Sequence, residues 1–248
     1  MNGHPLLEAR ALTVRFGGLT AVDAVSAAFA PGELVGVIGP NGAGKTTFLG
    51  ALSGVVVPTS GELFALGERL AGKAPHRFAE HGIARTFQTP RVFASLSVAA
   101  NVAFGLGFAG RHRPAPPLLH DAASILALLG LEARAALPAA AITPSQQRLL
   151  EIGMALATRP RVLLLDEVAA GLVESEIEAI ARLVRRLRDE LDLTVLWIEH
   201  AVTTLLRHVE RVIVLHQGRR LADGAPAEVI RNAEVIEAYL GDEMAESA

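Results

Sequence analysis

Cysteine is absent from the 248 residues, which removes disulfide frameworks, cysteine–zinc sites and thiol catalysis together. Lysine is almost absent too, occurring only at positions 45 and 73, so arginine carries nearly all the basic charge. The formal net charge of −3 gives no sign of the basic face that a nucleic acid partner demands, and none is expected. Apolar runs such as Val162–Leu165 are far too short to cross a bilayer, so a membrane should matter here only through a partner. The stretch MNGHPLLEAR carries an acid and no long apolar core, and is not expected to be a secretory signal. Internal repeats and low-complexity tracts are also missing. What is there is ordinary for a globular protein, 51% hydrophobic and 20% charged, and long enough for a large core in one domain or two small ones. In such a lysine-poor chain, a lysine inside a glycine-rich loop calls for a reason.

The periodicity predicts strands at Ala11–Phe16 and Asp23–Ala30, with a turn at Pro31-Gly32. Leu34–Ile38 reads as a strand buried on both faces. A loop over Gly39–Gly44 and a helix over Thr46–Ser53, closed by Gly54, follow. Two strands should flank Gly67, and Ile83–Phe87 should join the main sheet. From about 92 to 157 the pattern turns to Ala/Leu-rich helix, interrupted by the Arg- and Pro-dense loop Arg111–Pro117. Arg161–Leu165 and Thr194–Ile198 return to buried strands, separated by a helix over Glu174–Glu190. That helix buries Ile177, Ile180, Val184 and Leu187 and presents arginines 182, 185, 186 and 188 as a solvated face. A hairpin, Val212–Leu215 with Arg219–Ala222, and a helix over Pro226–Leu240 complete the chain.

Gly39-Pro-Asn41-Gly42-Ala43-Gly44-Lys45-Thr46 fits G-x-x-x-x-G-K-[ST], between a predicted strand and a predicted helix. Small residues let the backbone N–H groups of the loop, through Thr47, wrap phosphates at a helix N-terminus. Lys45 sets a point charge on the β- and γ-phosphates of ATP, and the Thr46 hydroxyl is offered to Mg²⁺. A second element, Arg161-Val-Leu-Leu-Leu-Asp166-Glu167, delivers two carboxylates at a strand's carboxyl end, where α/β proteins bind ligands. By itself an Asp-Glu pair there is commonly only a loop start. Beside the phosphate loop, Asp166 is expected to hold Mg²⁺ and Glu167 to act as general base on the attacking water. His200 ends the strand Leu196-Trp-Ile-Glu-His200 in the same way and could hydrogen-bond a γ-phosphate. Gln88, after Ile83–Phe87, could ligate Mg²⁺ or orient water.

In this order these elements resemble the nucleotide-binding cassette of ABC transporters, over about residues 7–242. Phe16-Gly-Gly, Gly82–Gln88, Leu150-Glu-Ile, Ala169–Leu172, Ile198-Glu-His200 and Val235–Gly241 resemble the branched-chain amino-acid, LivG-like branch, whose relatives also serve urea and other amides. The resemblance implies an α/β P-loop NTPase with a RecA-like core, an antiparallel β subdomain and an inserted helical subdomain. The core and β subdomain would take about 1–90 and 158–248, the helical subdomain about 91–157. It also implies that Phe16 stacks on adenine and that Gln88 links Mg²⁺ to the helical subdomain touching the membrane subunits. Implied partners are a second cassette, two transmembrane permeases and, indirectly, a periplasmic or extracellular solute-binding protein, at the cytoplasmic face of the inner membrane.

The family's signature, near Leu-Ser-Gly-Gly-Gln, reads Ile142-Thr143-Pro144-Ser145-Gln146 here. Thr143, Pro144 and Gln146 still make a good helix start, with Ser145 and Gln146 expected to offer N–H groups to an anion. The compactness of glycine is lost. Val168 stands where a proline is usual, and Val173 where a polar residue normally reaches across the dimer. Because the signature and position 173 act on the partner's ATP, these changes predict a heterodimer with one weakened site. Two rival readings are a soluble cassette ATPase unrelated to transport, which usually carries two cassettes or a coiled-coil insertion, and a cassette that binds ATP with weak hydrolysis.

Overall fold

The computed structural model describes residues 5–109, 116–199 and 201–246, with side chains through 239. Its centre is a sheet of short strands in the order β10-β9-β3-β8-β7-β6. These are β3 (Leu34–Ile38), β6 (Ile83–Arg85), β7 (Val162–Asp166), β8 (Thr194–Ile198), β9 (Arg211–His216) and β10 (Arg219–Gly224). All neighbours run parallel except β10, which turns back along β9. Every residue of β3, β7 and β8 is buried, as continuous apolar runs in a sheet covered on both sides require.

Alternate residues of those strands feed two separate cores. Leu163, Leu165, Val195 and Trp197 join one, with α6 (Glu174–Leu191), α7 (Val202–His208), α3 (Val98–Leu106), α4 (Ala122–Leu129) and α5 (Pro144–Ala157). Val162, Leu164, Leu196 and Ile198 join the other, with α1 (Lys45–Leu52) and the second sheet. That sheet is antiparallel, ordered β2-β1-β4-β5, from β1 (Leu7–Phe16), β2 (Leu19–Phe29), β4 (Ser60–Ala65) and β5 (Glu68–Arg69). The chain is completed by α2 (Pro75–Glu80), α8 (Pro226–Val229) and α9 (Ala233–Glu246).

Several boundaries differ from the periodicity. β1 begins at Leu7, before the expected Ala11, which sits in a bulge at φ 46° and donates its N–H to Ser26 Oγ. The inward phase Leu7, Ala9 then jumps to Leu12, Val14, which hides the first half of the strand from a period-two search. Ala24, at φ 49°, does the same in β2, moving the phase from Val22 to Val25 and the start from Asp23 back to Leu19. β6 ends at Arg85, short of Phe87. The C-terminal helix is broken after Val229 and resumes at Ala233, and α2 and α7 have no counterpart in the sequence reading. Most of the Arg111–Pro117 loop lies outside the described residues, although Pro117 opens a short 3₁₀ turn. Arg188 is not simply solvated: it bonds Glu210 and, at 3.4 Å, the Gly32 carbonyl, tying α6 to the sheet.

Candidate functional site: a phosphate loop facing strand-end carboxylates

Because the strands run parallel, the ends of β3, β6, β7 and β8 open on one edge, where the connecting loops can converge. Gly39–Gly44 leaves β3 there and enters α1. Gly39 adopts φ 150° and Gly44 φ 97°, and a Cβ at either would run into a carbonyl, of Leu215 and of Ala21 respectively. The loop can hold this shape only with glycine at both places. Gly218 N–H donates to the Ala43 carbonyl at 3.1 Å, so the β9–β10 turn braces the loop.

Lys45 is buried and its Nζ donates to the loop's own carbonyls, Gly39 O at 2.6 Å and Pro40 O at 2.9 Å. Burial pushes its ammonium below the ordinary lysine range, while the nearby carboxylates of Glu167 and Asp166 oppose that shift. Asn41, Gly42, Ala43, Gly44, Lys45, Thr46 and Thr47 line one cleft of about 600 Å³ together with Phe16 and Glu167. Phe16 is 53% exposed on its rim, free to receive a flat ligand on its ring. Leu19, Thr20, Ala21 and Gln217 also line the cleft. The sequence reading missed these four, which β2 and the β9–β10 turn bring in from distant positions.

Glu167 lines the cleft, and Asp166 lies buried behind Thr46. Thr46 Oγ1 lies 3.3 Å from Asp166 Oδ1, so two of the three expected magnesium donors meet. The other Asp166 oxygen accepts from Arg85 Nη2 at 2.6 Å in a buried ion pair, and Arg85 Nη1 reaches Ser53 Oγ at 3.2 Å. Gln88 Nε2 donates to Glu167 Oε2 at 2.6 Å, joining two more expected members although Gln88 itself does not line the cleft. His200 lies outside the described residues.

The signature-like segment forms the start of α5. Thr143 caps the helix with a full capping box, accepting from Gln146 N at 3.3 Å while Gln146 Oε1 accepts from Thr143 N at 3.1 Å. The expectation that Gln146 keeps its N–H for an anion is therefore corrected, because its own cap has taken it. Ser145 Oγ in turn donates to Glu176 Oε1 at 2.9 Å, and the other Glu176 oxygen accepts from Val173 N. A carboxylate thus sits against the segment at the point where the sequence predicts a partner's phosphate.

A glycine-strained loop at the head of a helix, its lysine buried beneath it and a strand-end aspartate facing its threonine define a P-loop NTPase. The ABC transporter family matches residues 22–170, and the branched-chain amino acid ATP-binding cassette transporter family matches residues 219–245. The chain is 38% identical to the high-affinity branched-chain amino acid transport ATP-binding protein BraF of Pseudomonas aeruginosa, over 96% of this chain and 99% of that one. It is 37% identical to LivG of Escherichia coli over the same shares. Among solved structures, the ADP conformation of an ATP-binding cassette of an ABC transporter superposes with TM-score 0.85 at 28% identity, covering 96% of this chain and 100% of that one. A nucleotide-free cassette gives 0.82 at 26%, covering 95% and 98%. The chain belongs to the ATP-binding subunits of ABC transporters and is an ATPase of that family.

Proposed function

We propose that this ATPase powers import of branched-chain amino acids or related amides, hydrolysing Mg·ATP in a site completed by a second cassette. One observation carries the chemistry: Lys45, Thr46, Asp166, Glu167 and Gln88, drawn from three strand ends, converge beside a cleft with Phe16 on its rim. Phe16 stacks on adenine, the loop N–H groups from Asn41 to Thr47 hold the phosphates, and Lys45 trades its loop carbonyls for phosphate oxygens. Glu167 takes the proton of the attacking water, with Gln88 holding its second oxygen and keeping the carboxylate aimed. His200 comes two residues after the end of β8 in sequence and is assigned to the γ-phosphate.

The Thr46 hydroxyl and the Asp166 carboxylate are hard oxygen donors of the kind Mg²⁺ accepts alongside phosphates, so the residues fit the ion. When bound, Mg²⁺ neutralises charge on the phosphate oxygens. Arg85 orients Asp166 through the ion pair at its second oxygen, and Gln88 is a further candidate ligand through its amide oxygen.

Residues 91–157 are read as a helical subdomain inserted between two parts of a core that spans about 1–90 and 158–248. An exposed aromatic group there, Phe93, Phe104 and Phe108, with ring centroids 4.7 and 5.2 Å apart, supports contact with a transmembrane permease. Among the described residues no helix is long and apolar enough to cross a membrane. We assign the chain to the cytoplasmic face of the inner membrane, held by two permeases that receive solute from a binding protein.

The dimer is read as a heterodimer with unequal sites. Glu176 already engages Ser145, the Gln146 N–H is spent on its cap, and Val173 is an exposed apolar side chain, so the site this chain completes for its partner is the weaker one. The site on this chain's own loop is the competent one. In the assembled transporter, Glu167→Gln should retain ATP binding yet lower kcat by ~10²-fold or more, and leucine uptake into vesicles should fall with it. Wild-type turnover in that variant would refute the assignment.

A further inference from the structure

Glu167 occupies an unusual backbone state. Its φ of 51° lies in the left-handed region, which a non-glycine residue keeps only when its surroundings hold it there. Val168, following it, lacks the ring that would stiffen the turn. The turn is instead held by a side chain from another element. Arg148 of α5 donates from Nη1 to the Glu167 carbonyl at 2.8 Å and from Nη2 to the Ala170 carbonyl at 2.7 Å. A longer contact of 3.5 Å runs from Nη1 to the Gln88 carbonyl. One planar guanidinium thus spans both ends of the 167–170 turn and reaches the residue whose amide holds the Glu167 carboxylate. From the other side Glu199 accepts from Ala169 N at 2.7 Å, so the turn is gripped by a cation on its carbonyls and a carboxylate on its N–H.

We propose that Arg148 is a positioning residue for ATP hydrolysis, fixing the strained Glu167 backbone so that its carboxylate stays aimed at the attacking water. The proposal rests on Glu167 being the general base. It has a consequence for the dimer. Arg148 lies on α5, the helix whose first turn, Thr143–Gln146, is assigned above to the partner's nucleotide. On that assignment one helix would join the partner's nucleotide to the turn that carries this chain's own base. A methionine at 148 would keep much of the stem's packing and remove all three donations, whereas a lysine would keep the charge and reach one carbonyl well.

The test is a double-mutant cycle in the assembled transporter, with kcat, KM for ATP and single-turnover rate measured for Arg148→Met, Arg148→Lys, Glu167→Gln and Arg148→Met with Glu167→Gln. We expect Arg148→Met to lower kcat by roughly tenfold to a hundredfold, the scale of a misplaced catalytic group, with KM little changed. Arg148→Lys should recover part of that loss. In the Glu167→Gln background, Arg148→Met should cost almost nothing further, because the group it aims is already gone. An equal loss in both backgrounds, a rise in KM that accounts for the effect, or wild-type kcat in Arg148→Met overturns the proposal. Should Arg148→Met fail to assemble, the same cycle with Arg148→Lys decides. If Glu167→Gln itself turns over at the wild-type rate, the base assignment fails and this inference with it. If only Arg148→Met is silent, the base assignment stands and the positioning role alone is lost.

Discussion

Glu151 is a buried carboxylate on α5 whose two oxygens accept from Phe87 N at 3.3 Å and Arg91 N at 2.9 Å, on either side of Gln88. Burial raises its pKa from 4.5 to about 7, against the pull of those two N–H groups and of the Arg148 and Arg91 charges. The folded state therefore holds this proton more tightly than the unfolded chain does. The stabilisation is complete below pH 4.5 and is lost as pH rises through about 7. Glu151→Gln stays neutral throughout, so wild-type stability relative to this variant should decline between about pH 4.5 and pH 7, as read from urea midpoints. A difference that grows with pH would contradict the assignment. Glu199 is a second buried acid, its pKa raised chiefly by burial, and it holds the Ala169 and Trp197 N–H groups. Both acids fall in segments that carry the family resemblance, Leu150-Glu-Ile and Ile198-Glu-His200, but neither is assigned a role there. A glutamate in a helix or before a loop looks like any solvated carboxylate until its burial is known.

The elements carry their own signals more openly. Thr143, Pro144 and Gln146 form the capping box their spacing predicts, and α5 starts where they place it. Thr143→Ala removes the acceptor for Gln146 N and should lower stability by about 1 kcal/mol, measured by chemical denaturation. An unchanged midpoint would mean that tertiary packing alone fixes this helix start. β3 and β8 were legible to the residue because strands buried on both faces are unbroken apolar runs. β1 and β2 were not, since each contains a bulge that reverses its inward phase partway along. α2 and α7 are only one or two turns long, too short for a helical period to register.

In the whole molecule, the main sheet divides two hydrophobic cores, and each central strand contributes to both through alternate residues. Leu164 is fully buried beside α1 and the antiparallel sheet, the support of the phosphate loop. Leu164→Ala should cost about 2–5 kcal/mol, with ATP affinity falling less than stability, as thermal melts and equilibrium nucleotide binding would show. A loss below about 1 kcal/mol would mean that the two layers collapse around the vacancy more freely than a close-packed interior allows.

The sequence by itself determined the phosphate loop, the strand that presents Asp166 and Glu167, and the family. Each depends on residue types at fixed short spacing, which can be recognised without knowing what packs against them. Only the tertiary structure decided that Thr46 meets Asp166, that Arg85 claims the other oxygen, that Glu176 occupies Ser145, and that Arg148 grips the turn at Glu167. Those partners lie between 19 and 120 residues apart, and they meet through the packing of parallel strands and the helices laid across them. No local spacing rule relates positions so far apart, so their pairing becomes visible only when the chain has folded.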